Sequence, residues 1–376
     1  MCRHIIFYVD RRTFLKILAG VSLSGLGIYY LLTNYVKPVP TLDISDIEYD
    51  EEVVAKDLIV PWSIEVLEED VYLVSERPGR LTLVNHGVET VVKEFSVAVV
   101  GEAGLLGLAK HPDFDGGRRY VYQYLSYHRG GTIVNKVVRF RLSKDFRNVD
   151  YIEDVLDDIP GASIHDGGRI RFGPDGLLYI CTGDANIPNL SQDIQSLAGK
   201  ILRVYDDGSP VEDNPFDNHV YSYGHRNPQG LDWNPYNNVL ISNEHGPVGH
   251  DEINEIVAGG NYGWPIVAGY SDDERFIPPI FETGQDTIAP SGASFIDGRI
   301  LGFNDPIYVI ACLRGRQLFL FNPSDASIYS LFRGIYGRLR DVKYLGDSKI
   351  IFSTSNRDGR GVPMEGDDRL VEIVFK

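Results

Sequence analysis

Cysteine is scarce in this chain, with only three among its 376 residues. Three thiols cannot form a disulfide framework, and Cys181 and Cys312 lie in apolar runs typical of buried side chains. Glycine (39 residues) and proline (20 residues) are only slightly above average usage, which excludes collagen-like and low-complexity proteins. With 43% hydrophobic residues, the chain is long enough for two ordinary domains or one large repetitive β fold.

Positive charge is also in short supply, with 36 Lys and Arg against 53 Asp and Glu, a net charge of −17. This balance argues against a nucleic-acid partner, because such proteins neutralise phosphates with surplus lysine and arginine. Residues 1–37 are an exception, with five basic residues and one acidic residue, a local charge of +4. Subtracting +4 from −17 leaves −21 for residues 38–376.

The N-terminal segment has the composition of an export signal. Arg11 and Arg12 are followed by twenty uncharged, mostly apolar residues at 17–36. The run Arg-Arg-Thr-Phe-Leu-Lys at 11–16 resembles a twin-arginine signal. Because twenty apolar residues can also span a bilayer, residues 1–37 fit either an export signal or a membrane anchor. We expect a linker at 38–49 and an exported, periplasmic or extracellular domain at 50–376.

Residues 50–376 repeat a unit in which one strand is followed by a tight turn and a second strand. The clearest copy spans residues 168–183, where a Gly-Pro-Asp-Gly turn separates two apolar runs. The six units begin near Trp62, Gly107, Gly168, Gly230, Gly292 and Arg340. Since one blade cannot bury both of its faces, six four-stranded units predict an all-β, six-bladed β-propeller. A pair of β-sandwiches is the alternative.

Several loops are richer in function-bearing side chains than a turn requires. His165 stands at a glycine-rich strand entrance, and histidine is well suited to take a proton near neutral pH. Residues 224–230 combine His, Arg, Asn and Gln between two glycines. Residues 101–107 hold three glycines, which permit close backbone approach. Each segment also has a purely structural interpretation as a turn.

Residues 243–254 are rich in oxygen ligands, and Asp272 and Asp273 follow. Ca²⁺ prefers six to eight oxygens, many of them backbone carbonyls. The spacing does not fit an EF-hand, and a solvated acidic loop is the alternative. Zinc is disfavoured, because His245 and His250 have no third nitrogen or sulfur ligand nearby.

Two Arg-x-Arg pairs, Arg314 with Arg316 and Arg338 with Arg340, stand out within a body of charge −21. Residues two apart on a strand share a face, so each pair is expected to point the same way. Arginine forks suit carboxylates or phosphates. Ordinary ion pairing is the alternative.

Taken together, these segments resemble the soluble quinoprotein glucose dehydrogenase family, in particular its aldose sugar dehydrogenase branch. The matching pieces fall in one order across residues 60–375. The most specific are His-Arg-Asn-Pro-Gln-Gly at 225–230 and Gly-Asn-Tyr-Gly-Trp-Pro at 260–265. The resemblance implies a propeller that binds pyrroloquinoline quinone (PQQ) and Ca²⁺. It also implies oxidation of an aldose at its anomeric carbon to a lactone.

The resemblance implies roles for individual residues. His165 would be the general base, and Arg226 would lie against the quinone carbonyl that receives hydride, with Asn227 beside it. Further positions in the cofactor shell would be Glu102, His245, Thr287, Arg314, Arg338 and Arg340. The family has glutamine at the positions of Glu102 and His245.

The same resemblance implies two calcium sites. The carbonyls of Gly246 and Pro247 would ligate the cofactor's Ca²⁺. A structural Ca²⁺ would use Glu252, the carbonyl of Tyr262 and Asp272, with Glu282 as a further candidate.

Two other functions compete with this interpretation. One is a non-redox propeller that binds sugars or lipids, and the other is a calcium-dependent lactonase. A lactonase holds its central cation with carboxylates, whereas these loops offer mostly backbone oxygens and arginine. Since the chain has no haem-attachment motif, a dehydrogenase would pass electrons to an external acceptor. The loops that form the family's dimer contact look shortened, so we expect a monomer or weak dimer.

Overall fold

The computed structural model describes residues 47–376, and the regular secondary structure of this part of the chain is almost entirely β-strand. The strands are β1 (Tyr49–Ala55), β2 (Pro61–Glu68), β3 (Val71–Glu76), β4 (Arg80–Asn85), β5 (Val88–Glu94), β6 (Leu105–Lys110), β7 (Tyr120–Arg129), β8 (Thr132–Leu142), β9 (Val149–Pro160), β10 (Ile170–Phe172), β11 (Leu178–Thr182), β12 (Lys200–Val204), β13 (Val220–Tyr223), β14 (Pro228–Trp233), β15 (Leu240–Glu244), β16 (Glu252–Ile256), β17 (Phe281–Glu282), β18 (Pro290–Ile296), β19 (Ile307–Cys312), β20 (Gln317–Asn322), β21 (Ser327–Leu331), β22 (Leu339–Gly346), β23 (Lys349–Thr354) and β24 (Leu370–Phe375). Short helical turns lie at Phe114–Arg118, Pro188–Gln192 and Gly298–Leu301.

These strands form six antiparallel sheets of four strands each: β2–β5, β6–β9, β10–β13, β14–β17, β18–β21, and β22–β24 with β1. The first strands of the sheets, β2, β6, β10, β14, β18 and β22, each contact the first strands of both neighbouring sheets. Because β22 also contacts β2, the sheets close into a ring. The predicted six-bladed β-propeller is therefore confirmed, and all six predicted unit starts fall within or directly before these inner strands.

The ring is completed by the N-terminal strand β1. It pairs antiparallel with β24, with Tyr49 opposite Phe375 and Val53 opposite Val371. The last blade thus combines strands from both ends of the described chain, which covers the edge that β24 would otherwise expose. This pairing was not predicted from the sequence, because β1 is mostly charged and exposed.

Burial falls from the interior of each blade to its outer edge. Every residue of β3, β19 and β20 is buried, whereas most of β5 is exposed. Interior strands pack against neighbouring blades on both faces, which explains their continuous apolar runs. A fully buried Phe352 or Val309 contributes roughly 1.5–3 kcal/mol by leaving water.

Strand direction brings two kinds of loop to one end of the ring. In every blade the loop before the first strand and the loop after the second strand lie at the same end, because antiparallel neighbours alternate in direction. We call this end the site rim and the other end the opposite rim. Predicted site residues on these loops are Glu102, His165, Arg226, Asn227, His245, Gly246, Pro247, Thr287, Arg314 and Arg338. The fold therefore gathers positions far apart in sequence.

The predicted export segment at 1–37, and nearly all of the predicted linker, lie outside the described residues. Between residues 47 and 376 no helix is long and apolar enough to cross a membrane. Cys181 and Cys312 are buried and unpaired, as their apolar surroundings predicted.

Candidate active site

His165 is positioned by a buried carboxylate. It precedes β10 in a left-handed backbone conformation, with φ of 62°. Its Nδ1 lies 2.7 Å from Oδ1 of the fully buried Asp184, and the indole Nε1 of Trp264 donates to the other oxygen of Asp184 at 2.9 Å. Because the carboxylate accepts a hydrogen bond from the N–H at Nδ1, the lone pair of the neutral imidazole lies on Nε2. This is the tautomer that a general base requires.

Asp184 was not predicted from the sequence. It stands in the run Gly-Asp-Ala-Asn at 183–186, which is indistinguishable from an ordinary turn. Its backbone N–H donates to the carbonyl of Arg226 at 2.9 Å, so it also joins the loops of two blades. Asp184 follows β11, the second strand of its blade, and loops in this position lie on the same rim as His165. This position in the blade is the signal that would have identified it.

Arg226 and Asn227 are held by Glu244. Its Oε2 accepts the N–H of Arg226 at 2.6 Å and that of Asn227 at 3.3 Å, and the Arg226 guanidinium lies 5.3 Å from the ring centre of Trp264. Burial lowers the pKa of Arg226, although Asp184 and Glu244 oppose this. Nε of Arg226 and Nδ2 of Asn227 are buried without a partner among the described residues. Both donors are therefore available to a ligand.

A cluster of three arginines from two adjacent blades lies on the same rim. Arg77 follows β3, while Arg338 and Arg340 stand at the start of β22. Arg340 is buried, and its Nη1 donates to the side chain of Gln229 at 3.0 Å. Burial lowers the pKa of Arg340 to about 9, with Asp358 opposing this and Arg338 and Arg77 lowering it further. A desolvated guanidinium beside two others favours an anionic ligand.

A chain of ion pairs and hydrogen bonds links this arginine cluster to the loop that carries His165. Nε and Nη2 of Arg338 donate to Oδ2 of Asp358 at 2.9 and 2.7 Å. The backbone N–H of Arg360 donates to Asp358 at 2.8 Å, and its Nη1 pairs with Glu102 at 2.9 Å. The second oxygen of Glu102 accepts the N–H of His165 at 3.1 Å. Neither Asp358 nor Arg360 was predicted from the sequence, because both lie in a long loop without a distinctive motif.

The negative charge of Glu102 is therefore balanced within the protein. Burial raises its pKa, but His245, the N–H of His165 and Arg360 together bring the pKa below its usual value. Glu102 thus stays ionised where the family has a neutral glutamine. Arg360 supplies the compensating charge.

The loop after β15 is organised by Asp251. Its Oδ1 accepts the N–H of Gly246 at 3.0 Å, and its Oδ2 accepts the hydroxyl of Thr287 at 2.7 Å. Nε2 of His245 lies 2.8 Å from the carbonyl oxygen of Pro290, and burial lowers the pKa of this histidine. Asp251 therefore fixes the predicted calcium loop against the loop that carries Thr287.

Three predicted residues, Pro247, Arg314 and Asp272, are exposed. The side chains of Arg314 and Asp272 make no hydrogen bond or ion pair within residues 47–376. The backbone N–H of Arg314 donates to the carbonyl of Ile288 at 3.1 Å, which sets this residue beside the Thr287 loop.

Glu252 lies in a buried acidic region at the start of β16. Its carboxylate accepts the N–H of Gly269 at 2.6 Å and the amide of Asn254 at 3.1 Å. Burial, then the charge of Glu244 and, more weakly, that of Glu282, raise the pKa of Glu252 to about 8. A bound cation here would lower this pKa, because nearby positive charge favours the ionised carboxylate.

A cation near Glu252 would have to draw on carbonyl oxygens. No three His, Cys, Asp or Glu side chains in the described part of the chain converge as a metal-binding group. The backbone of the other candidate, Tyr262, is fixed where its N–H donates to the carbonyl of Tyr223 at 2.9 Å.

The sequence of this chain is similar to those of known sugar dehydrogenases. A family model described as Glucose / Sorbosone dehydrogenase matches residues 58–364. Quinoprotein glucose dehydrogenase B of Acinetobacter calcoaceticus is 34% identical over 272 residues, which cover 61% of this chain and 55% of that protein. Aldose sugar dehydrogenase YliI of Escherichia coli is 37% identical over 227 residues, covering 57% and 61% respectively. The chain thus matches little more than half the length of these relatives.

A solved structure extends the similarity to nearly the whole propeller. The PQQ-bound form of aldose sugar dehydrogenase from Streptomyces coelicolor superposes with a TM-score of 0.79 at 36% identity. The alignment covers 88% of this chain and 99% of that one. The family resemblance inferred from the sequence is confirmed.

Proposed function

The chain belongs to the glucose/sorbosone dehydrogenase family, and on that premise we propose that it oxidises aldose sugars to lactones with PQQ and Ca²⁺. One observation carries the proposal. The His165–Asp184 pair lies on a single rim with Arg226 and Arg340, each of which has a buried Nε without a partner among the described residues. A base beside a group of cations suits a reaction in which a proton leaves a hydroxyl oxygen and a hydride leaves the carbon that carries this hydroxyl.

The residues present fit a small polyanion such as PQQ. Buried donors without a partner in the described part of the chain include Nε of Arg77, Arg226 and Arg340. PQQ carries three carboxylates, whose oxygens would satisfy these donors. The residues proposed to hold it are Arg77, Glu102, Arg226, Asn227, His245, Thr287, Arg314, Arg338 and Arg340.

PQQ, when bound, supplies the quinone that accepts the hydride from the sugar. His165 takes the proton of the anomeric hydroxyl on Nε2, the nitrogen that Asp184 leaves unprotonated. Asp184 then stabilises the imidazolium that forms. Its own position is fixed by the indole of Trp264. The residues thus provide a base that is oriented before the substrate arrives.

Arg226 provides positive charge near the same histidine. Its guanidinium is covered by the ring of Trp264, and its Nη1 donates to the carbonyl of His245 at 3.1 Å. A guanidinium shielded from water stabilises developing negative charge more strongly than a solvated one. Asn227 is fixed beside it, because its Oδ1 accepts the N–H of Gly167 at 3.0 Å.

For Ca²⁺ we propose the two sites that the family resemblance implied. The carbonyls of Gly246 and Pro247 would hold the ion that polarises the cofactor as a Lewis acid. The second ion would use Glu252, the carbonyl of Tyr262 and Asp272. The raised pKa of Glu252 supports a cation there, since bound positive charge would favour its ionised form.

We also propose that residues 1–37 are an export signal or membrane anchor and 38–49 a linker. The catalytic propeller would be 50–376, acting outside the cytoplasm as a monomer or weak dimer. The electrons removed from the aldose would pass to an external acceptor.

Reconstitution tests the proposed function directly. Purified protein is incubated with PQQ and Ca²⁺, and reduction of a redox dye is followed with a panel of aldoses. We expect dye reduction that requires both PQQ and sugar. Folded protein that reduces no dye with any aldose would exclude the dehydrogenase. Lactone hydrolysis that needs Ca²⁺ but not PQQ would favour the lactonase instead.

A further inference from the structure

One sector of the site rim differs in charge from the rest of the protein. It consists of three loops from two adjacent blades, at residues 313–316, 332–338 and 355–369, and we call it the basic sector. These loops hold seven arginines and four carboxylates, a surplus of three positive charges in a chain of net charge −17. The opposite-rim loops of the same blades, at 297–306, 323–326 and 347–348, hold one arginine and four aspartates. In these two blades, the loops of the site rim and those of the opposite rim therefore differ in the sign of their net charge.

The surplus is concentrated on exposed side chains. Arg316 and Arg333 are exposed, and neither forms an ion pair with any carboxylate among residues 47–376. The N–H of Gly334 donates to the carbonyl of Arg316 at 2.7 Å, so the two arginines lie on adjoining turns. Like charges held together without a counter-charge repel each other. An anionic partner would remove this repulsion.

Apolar side chains are exposed on the same loops. Val362 is 85% exposed, and Ile335 and Met364 are each 48% exposed. The amide of Asn356 donates to the carbonyl of Tyr336 at 2.9 Å, which joins the loops into one surface. Exposed apolar groups combined with arginine are typical of protein–protein interfaces.

The basic sector adjoins the proposed active site. A Cβ added at Gly361 would lie 2.9 Å from Cδ of Arg338, so this loop packs directly on the arginine cluster. The same loop carries Arg360, which pairs with Glu102. A molecule docked on this surface would therefore lie next to the position from which electrons must leave.

Building on the proposed function, we propose that the basic sector is the docking surface for an electron-accepting protein with an acidic contact face. Oxidation of one aldose to its lactone releases two electrons and two protons. Two molecules of a one-electron acceptor, such as a ferric haem protein, each take one electron, and the protons go to water. Complementary charge would steer the acceptor to the rim and accelerate its association.

The test uses two acceptors with the same haem and opposite surface charge. Full-length protein loaded with PQQ and Ca²⁺ is mixed with glucose and either native cytochrome c, which is basic, or its succinylated form, which is acidic. We expect the succinylated form to be reduced faster at low ionic strength, and this advantage to shrink as added salt screens the charges. Equal rates, faster reduction of the native form, or no reduction of either form while a dye is still reduced would overturn the proposal.

Charge-reversal variants locate the surface. We expect R316E/R333E to slow reduction of succinylated cytochrome c roughly tenfold or more at low salt and to leave dye reduction unchanged. The matched control K144E/R147E makes the same charge change in the β8–β9 loop on the opposite rim and should have little effect. R333E alone avoids the left-handed backbone of Arg316, with φ of 52°, and should give a smaller loss in the same direction. Unchanged rates in both variants would contradict the proposal.

Two further arms separate the remaining outcomes. If no aldose supports dye reduction, the proposed function fails, and calorimetric binding of succinylated cytochrome c to the chain still tests the surface. If R316E/R333E loses binding to phosphatidylglycerol vesicles but keeps its rate with succinylated cytochrome c, the sector faces a membrane and the proposed protein partner is wrong.

Discussion

Arg169 and Arg340 are buried arginines that both contact Gln229, yet only one of them is neutralised. Arg169 lies 3.1 Å from Asp341 and also donates to Ser63 at 3.0 Å. Arg340 makes its described hydrogen bonds to neutral groups only, the side chains of Gln229 and Ser291. The first arginine is paired directly with a carboxylate, whereas the nearby carboxylate of Asp358 pairs with Arg338 and leaves Arg340 without a direct ion pair.

This difference separates a structural role from a binding role. The partners of Arg169 come from three other blades, so its ion pair helps hold the ring together. Arg340 is removed from water without a carboxylate paired to it, which is unfavourable for the folded protein alone. Such an arrangement is expected at a functional site, where an anionic ligand supplies the missing negative charge. Variants at the two sites should therefore change different properties, namely stability at the first and cofactor binding at the second.

The largest effect is expected on the functional side, at His165. H165Q removes the base without adding charge, and turnover of the reconstituted protein should fall about 10²–10⁴-fold. The unfolding midpoint should change little, because the side-chain amide of the glutamine can still donate a hydrogen bond to the buried Asp184. Steady-state dye reduction and thermal unfolding measure the two quantities. Turnover within threefold of that of the wild type would show that His165 is not the general base.

Next in size is the loss of the structural ion pair. D341A leaves Arg169 buried without its counter-charge, and the free energy of unfolding should fall by about 3–5 kcal/mol. Asp341 also accepts the N–H of Ile64 at 2.9 Å, which adds to the loss. Denaturant unfolding measures the change, with D341N as the control that keeps shape and part of the hydrogen bonding. A decrease in the free energy of unfolding below 1 kcal/mol would contradict the structural role assigned to Arg169.

Asp166 is a buried acid without a paired cation, and its burial should appear in the pH dependence of the free energy of unfolding. Burial raises the pKa of Asp166 to about 6 from an ordinary 3.8. Between these values the folded state binds more protons than the unfolded state, so stability contributed by Asp166 is lost as pH rises from about 4 to 6. D166N should remove this slope, which amounts to about 2–3 kcal/mol. Unfolding of both proteins at several pH values tests it, and parallel pH profiles would contradict the account.

The smallest change in stability is expected at Arg340. R340M removes a buried charge that lacks a carboxylate partner, so the PQQ-free protein should be as stable as wild type or more stable by about 1 kcal/mol. R169M is the matched comparison and should destabilise, because it strands Asp341. Thermal unfolding without PQQ measures both. A destabilised R340M would mean that Arg340 is a structural residue like Arg169.

The blade count followed from the sequence because inner strands are continuous apolar runs ended by glycine, proline and aspartate. Trp62, Gly168 and Arg340 mark three such starts, and each lies within or directly before an inner strand. The closing strand β1 escaped prediction, because an outer strand with one exposed face carries charges instead of an apolar pattern. Its pairing with β24 joins residues more than 300 positions apart, which no local signal encodes.

Candidate site residues were predictable only where a family motif marked them. His165 and Arg226 lie in such motifs. Asp184 and Arg360 act through partners in distant loops and look like ordinary turn residues in the sequence. The ionised state of Glu102 depends on that distant arginine as well. Hydrogen bonds and ion pairs between distant loops can be identified only once the structure shows which loops meet at the site rim.

Direct titration of PQQ tests the central claim, that the unneutralised arginines of the rim hold a tricarboxylate. Isothermal calorimetry with Ca²⁺ present would compare the full-length wild-type protein with R340M in one buffer. We predict saturable binding of one PQQ per chain to the wild type, weakened roughly 10–100-fold in R340M while the fold is kept. Absent binding to the wild type, or equal affinity in R340M, would contradict the claim.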